Sequence, residues 1–208
     1  MDVSDVVGQV RDVAQDERAR AGRVETQAAI VIAVLAMLLA IASVGGQNAS
    51  KEMVNSNILA SDTWAFFQAK SIRQTNFRLA AEELELLLPS LPVQQQAAAK
   101  KRFDGYEATV ARYESEPDPN DPTNPIKGDG KKELMARARH WEGKRDHAQA
   151  QDPNFDYAAA LYQIAVVLGS VAIVAVSRRI LVLTLILGAS ATVLMLNGFF
   201  LFFDLPIG

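Results

Sequence analysis

The chain has 208 residues, half of them hydrophobic, with a net charge of -3 and no cysteine. That balance lacks the basic surplus of a nucleic-acid binder, and the missing cysteine excludes disulfides, haem thiolates and cysteine-based zinc sites. Charge is spread unevenly: three long runs, at about 26–46, 158–176 and 180–203, contain none at all.

Residues 1–25 place Val3, Val6, Val10 and Val13 on one helical face, with Arg11, Arg18, Arg20 and Arg23 among and after them. Such an amphipathic segment can lie on a membrane surface or coil with copies of itself. The run at 26–46 then meets the requirement of roughly 20 apolar residues for a bilayer crossing. A charge at the centre of such a helix would cost about 2.5–3.5 kcal/mol, so a bare run of this length predicts a transmembrane helix. The charged leader is too long for a cleavable signal, and the run is expected to stay as an anchor. Ala29, Ala33, Ala36, Ala40 and Ser43 form a small-residue stripe along it, the kind that lets helices approach closely in lipid.

From Ser50 to Leu88 no Pro or Gly interrupts a helix, which at 1.5 Å per residue would extend roughly 58 Å. At 100° per residue, Ile58, Ala65, Phe66, Ala69, Ile72, Leu79, Ala80, Leu84, Leu86 and Leu87 form one broad apolar face, with Ser71, Gln74, Arg78 and Glu85 opposite. Asp62, Arg73, Asn76 and Glu83 intrude on that face as candidate pore or register positions. They are expected to meet partners on the returning arm, such as Lys100, Lys101 or Glu107, or else neighbouring subunits or a wet axial cavity.

Pro89 and Pro92 end this helix. A second is predicted at about 93–114, with Ala99, Phe103, Tyr106, Val110 and Tyr113 at heptad spacing. Residues 117–130, rich in Pro and Gly, form a loop. A third helix is predicted at about 131–150, aligning Leu134, Ala138, Trp141 and Ala148. The two shorter helices sum to the length of the first, so a long ascending helix should pack against a two-piece descending arm. Asp152-Pro153 reads as the cap and first-turn proline of the second span.

Ala165 and Gly169 make a small-residue pair in the span at 158–176, and Thr184, Gly188 and Thr192 continue that spacing in the span at 180–203. Arg178 and Arg179 form the link between these two spans. With three crossings they fall on the same side as Arg18, Arg20 and Arg23, and retention of Lys and Arg in short cytoplasmic loops puts both clusters inside. Residues 47–157 would then be periplasmic in a bacterial inner membrane. Trp141, Phe155, Tyr157 and Tyr162, and then Phe199, Phe200, Phe202 and Phe203, read as interfacial anchors.

No ionisable residue interrupts the spans, which argues against proton-coupled transport but leaves a passive pore open. His140 and His147 are two turns apart, about 10 Å, too far to share a metal. Asp118, Asn120, Asp121 and Asn124 miss the calcium-loop spacing. With no phosphate loop, nucleophile elbow or catalytic constellation, neither enzyme activity nor a cofactor is expected.

The stretches Gly45-Gly46-Gln47-Asn48-Ala49-Ser50-Lys51-Glu52, Ser61-Asp62-Thr63-Trp64-Ala65-Phe66-Phe67-Gln68-Ala69-Lys70 and Arg73-Gln74-Thr75-Asn76 resemble a known family. So do Asp152-Pro153-Asn154-Phe155-Asp156-Tyr157 and Leu196-Asn197-Gly198-Phe199-Phe200. The family is a bacterial inner-membrane domain of unknown function, number four-three-three-seven, and the resemblance covers nearly the whole chain. It implies the three-span helical layout and carries over no activity, cofactor or catalytic residue. The expected fold is therefore an all-α integral membrane protein: three transmembrane helices and a long helical hairpin outside the bilayer. The expected function is a non-enzymatic homo-oligomer, with a pore or channel-like assembly as one form. A periplasmic sensor or partner-binding scaffold is the alternative.

Overall fold

The computed structural model describes residues 3–205; the side chains of Val3, Val6, Val10 and Val13, where a valine face is expected, lie outside the described residues. Four helices make up most of it: α1 (Val3–Leu87), α2 (Val93–Glu114), α3 (Lys131–Val174) and α4 (Arg178–Phe200). Among the described residues there is no strand, only an isolated bridge between Pro117 and Gly128. The chain divides into two compact units, residues 1–51 with 148–208, and residues 52–147. The three charge-free runs fall in α1, α3 and α4, each long and apolar enough to cross a membrane by length and composition.

In the first unit, α1 buries Ala28, Leu35, Ala42 and Ala49, one residue every seven. Helix α3 buries Phe155, Ala158, Tyr162, Ala165, Gly169 and Ala172, and α4 buries Leu181, Thr184, Gly188, Ala191, Met195 and Gly198. Alternating steps of three and four keep one seam of each helix toward its neighbours, as in coiled coils. Small residues let the backbones close in. A Cβ on Gly169 would lie 2.7 Å from Ile32, and one on Gly188 would lie 2.5 Å from Leu35. Ala165 is fully buried, whereas Ala33 and Ala40 are exposed. The alanine-rich run offers two stripes, and the one holding Ala28, Ala42 and Ala49 is the one turned inward.

The helix start expected at Asp152-Pro153 is absent, since α3 runs through Pro153, and α1 likewise runs through Gly45-Gly46. The Phe155 ring occupies the space beside the two glycines, and an Asn154 side-chain hydrogen bond reinforces the helix next to the proline. Helix α3 ends in a tight turn, with Val176 left-handed at φ 47°. Its Ser177 N–H bonds Ala172 O at 3.1 Å, and the Val176 N–H bonds Ile173 O at 3.2 Å. That is a Schellman-type ending with valine where glycine is usual.

In the second unit, a 3₁₀ turn at Leu88–Ser90 follows α1, and Pro92 sits at the start of α2. Phe77 of α1 meets Tyr106 and Tyr113 of α2, ring centroids 5.7 and 5.9 Å away. Earlier on α1, Trp64 Nε1 donates to Glu142 of α3 at 2.8 Å. Helix α1 is thus flanked by α3 over one stretch and by α2 over the next, with the Pro-rich loop between them.

The face that α1 buries here differs from the one expected. Ser56, Ala60, Lys70, Gln74 and Ala81 are buried, while Ile58, Ala65, Phe66, Ala69, Ile72, Leu79, Leu86 and Leu87 are exposed. Two stripes compete, each repeating every seven residues, and the less apolar one is turned inward because its Lys70 and Gln74 are hydrogen-bonded to α2, the loop and α3.

Candidate functional site

Lys70 and Gln74 are the polar residues that the seam of the second unit buries on successive turns, 8% and 3% exposed. A buried ammonium is tolerated only when paired and hydrogen-bonded. Lys70 Nζ lies 3.1 Å from Glu116 Oε2, donates to the Asp129 carbonyl, and sits 5.1 Å from the centre of the Tyr113 ring. Gln74 Nε2 donates to Val110 O and to Glu114 Oε2, each at 3.0 Å. Its Oε1 accepts from Lys131 Nζ at 2.9 Å. Glu133 accepts from the Ser115 hydroxyl at 2.7 Å and from the Glu116 N–H at 3.1 Å.

These contacts pin the end of α2, the loop and the start of α3 to one register on α1. Gly128, at φ 103°, and Gly130 let the loop fold flat: a Cβ on either would strike the backbone of Glu116. Arg137 donates Nε to Ile126 O at 2.8 Å and also bonds Gly128 O. No buried side-chain nitrogen or oxygen among the described residues lacks a partner. A satisfied cluster of this kind rigidifies the fold and specifies register.

Two of its carboxyls carry a pH signature. The Gln74 hydrogen bond, with help from the Lys131 charge, holds Glu114 below its ordinary pKa against the effect of burial. Burial pushes Glu133 upward, but the Ser115 and Glu116 hydrogen bonds outweigh it and the net direction is down. A depressed carboxyl contributes stability that is complete above its unfolded pKa, about 4.3, and is lost as pH falls through the lower folded value. Both tryptophans, Trp64 and Trp141, lie in this unit. Thermal unfolding followed by tryptophan fluorescence should therefore be flat from pH 7 to about 5 and fall below about 4.3. The Glu133→Gln variant should be less stable at pH 7 and show a shallower acid limb.

The first unit holds a different cluster. The Phe155 ring is buried in a socket made by three glycines and flanked by an aromatic. A Cβ on Gly45 would lie 2.5 Å from Phe155 Cε1, one on Gly198 2.9 Å from it, and one on Gly46 3.2 Å from Phe155 Cβ. The Phe199 ring meets Phe155 edge-on at 4.8 Å. This is why glycines persist inside α1 where they cost about 1 kcal/mol each relative to alanine.

Beside the socket, Asn197 Nδ2 donates to Asn154 Oδ1 at 2.7 Å and to Phe203 O at 2.9 Å, while Asn197 Oδ1 accepts from Phe203 N at 3.0 Å. Asn154 Nδ2 donates to Ala150 O at 2.9 Å. Pro153 removes one N–H from the helix ladder, and Asn154 adds a side-chain bond one residue on, so α3 continues. Asp152, expected as a cap, accepts from the Ser50 hydroxyl at 2.6 Å. Phe155 and Tyr162, expected as interfacial anchors, are buried, whereas Tyr157, Phe199, Phe200, Phe202 and Phe203 are exposed.

The four expected register positions are not among the buried ones. Asp62, Arg73, Asn76 and Glu83 are all exposed, as are Lys100, Lys101 and Glu107. Three of the four share a stripe. Ile58, Ala65, Ile72, Leu79 and Leu86 recur every seven residues, and Asp62, Ala69, Asn76 and Glu83 sit four residues after the first four of them in turn. Ile72 is 63% and Leu86 83% exposed, so α1 carries a second heptad seam outside the one already filled. Arg73 lies one residue off it. Arg20, Arg23 and Arg178 line one cleft, while Arg18 and Arg179 are exposed beyond its lining. His140 and His147 are exposed, and no metal-binding group occurs among the described residues.

A family model described as a domain of unknown function (DUF4337) matches residues 24–201. No curated protein and no solved structure matches the chain.

Proposed function

We propose, for a chain that belongs to the DUF4337 family, a non-enzymatic homo-oligomer of the bacterial inner membrane, joined through the outer seam of α1. Membrane insertion is supported by the outer faces of the first unit. Ile30, Val34, Met37, Ile41 and Val44 on α1, Ile164, Val167 and Val171 on α3, and Val182, Leu183, Leu185 and Ile186 on α4 are all exposed. Water would penalise so much bare aliphatic surface, and lipid would not. Arginine retention places the N-terminus and the 177–179 turn in the cytoplasm and residues 47–157 in the periplasm.

The observation that carries the oligomer is the pairing of an apolar heptad with polar residues at its alternate positions. An aliphatic seam outside the bilayer requires cover, and a polar residue such as Asn76 within it selects register and partner at some cost in stability. A second copy supplies the same repeat in the same phase. Assembled around an axis, Asp62, Asn76 and Glu83 would line an acidic vestibule suited to attracting cations, which is the channel-like form of the proposal.

Three measurements test it. The protein should remain in the membrane pellet after alkaline washing; recovery in the aqueous fraction would remove the membrane reading. The mass of detergent-solubilised protein should be a multiple of the chain mass. Ile72→Glu with Leu79→Glu, both on the exposed seam, should return it to monomer with helix content unchanged. A monomeric wild type that co-purifies with a stoichiometric partner would replace the oligomer by a scaffold. Cation flux into liposomes decides between vestibule and scaffold within the oligomer.

A further inference from the structure

We infer that the cleft between α1 and the α3–α4 turn binds a phosphate-bearing anion, the headgroup of an acidic phospholipid. The cleft, of about 770 Å³, is lined by Arg20, Ala21, Arg23, Val24, Gln27, Val176 and Arg178. Arg20, Arg23 and Arg178 border it; Arg23 already has a partner, and Arg20 and Arg178 carry the charge offered to a ligand. Guanidinium stays protonated at any working pH and presents a planar fork of donors that matches phosphate oxygens two at a time. Two such charges, on Arg20 and Arg178, at one concave surface raise a local positive potential that draws anions in, even in a chain of net charge -3. The turn itself brings one of them in: left-handed Val176 and the Ser177 bond to Ala172 reverse the chain and start α4 at Arg178.

The surroundings favour a lipid as the source of the phosphate. Ala21, Val24 and Val176 give the cleft an apolar border, and the charge-free runs begin at about 26 and end at about 176. On the membrane reading proposed above, on which this inference rests, the cleft lies at headgroup depth on the cytoplasmic side, where anionic lipids meet basic side chains.

The test uses full-length protein in dodecyl maltoside, titrated separately with phosphatidylglycerol, phosphatidylcholine and soluble glycerol 3-phosphate, and read as the shift in melting temperature. Phosphatidylglycerol should give a saturable rise and phosphatidylcholine none. Arg20→Gln and Arg178→Gln should each weaken the response about fivefold, and together about 25-fold, at about 1 kcal/mol per basic side chain. Arg18→Gln, which loses the same charge outside the lining, should keep the full response. If glycerol 3-phosphate alone reproduces the rise and depends on Arg20 and Arg178, the cleft stands and its anion is a free phosphate ester. Equal responses to the two lipids, or a loss in Arg18→Gln as large as in Arg20→Gln, would overturn the inference. Failure of the membrane reading shows separately, as protein that stays aqueous without detergent, and glycerol 3-phosphate binding can still be measured on it.

Discussion

Replacing Phe155 by alanine is expected to destabilise the protein by about 3–5 kcal/mol, the range for emptying a buried aromatic site that cannot collapse. The socket has little freedom to relax, because its walls are helix backbone at Gly45, Gly46 and Gly198. The opposite change, Gly45→Ala, sets two effects against each other. Alanine raises helix propensity by about 1 kcal/mol, but its Cβ would fall 2.5 Å from the Phe155 ring. Overpacking of that kind costs about 1–3 kcal/mol, so Gly45→Ala should be neutral to destabilising by up to about 2 kcal/mol. The two substitutions should then couple. In a Phe155→Ala background the added methyl enters space that the ring has vacated, and Gly45→Ala should turn stabilising. Far-UV circular dichroism melts read this, since both tryptophans lie in the other unit. If Gly45→Ala costs as much without the ring as with it, the glycines answer to something other than Phe155.

Much of this fold is legible in the amino-acid order, and the limits have identifiable causes. Local chemistry bounds helix α2, with Pro89 and Pro92 before it and the Pro-rich loop after it. Its inner face, Ala99, Phe103, Tyr106, Val110 and Tyr113, is at least half-buried. On α1 apolarity misleads: Ile72 lies on the more apolar of two heptad stripes, yet Gln74 on the other is buried because its amide bonds α2 and α3. Following Ala49, Ser56, Thr63, Lys70 and Phe77 in steps of seven finds the buried lysine. The missing helix breaks have a different cause. Glycine pairs and prolines oppose helix locally, and only a tertiary partner, the Phe155 ring or the Asn154 amide, overrides them. Asn197 stands out in the sequence merely as a polar residue in an apolar run; its pairing with Asn154, 43 positions earlier, has no local signal.

That pairing makes Asn197→Leu the second severe substitution, at about 2–4 kcal/mol. Leucine matches the side chain in size, so the packing loss is small and the cost lies in stranded polar groups. Asn154 Oδ1, buried in a residue 1% exposed, loses its donor, and the Phe203 N–H and carbonyl lose their partners. Each buried group left without a partner costs about 1–3 kcal/mol. The low end of the sum over these three groups, about 3–9 kcal/mol, is expected, because Phe203 is exposed enough to recruit water. The companion variant separates the two contributions. With Asn154→Leu added, no amide is left stranded at the helix contact, and a good part of the loss should return, as when both partners of a buried hydrogen bond are replaced. What does not return is the tie to the chain after α4. The Phe203 amide, protected by Asn197 Oδ1 in the native protein, should exchange its hydrogen faster in both variants. Unchanged exchange there, or a double variant no better than the single, would mean that the asparagines fill space without bonding.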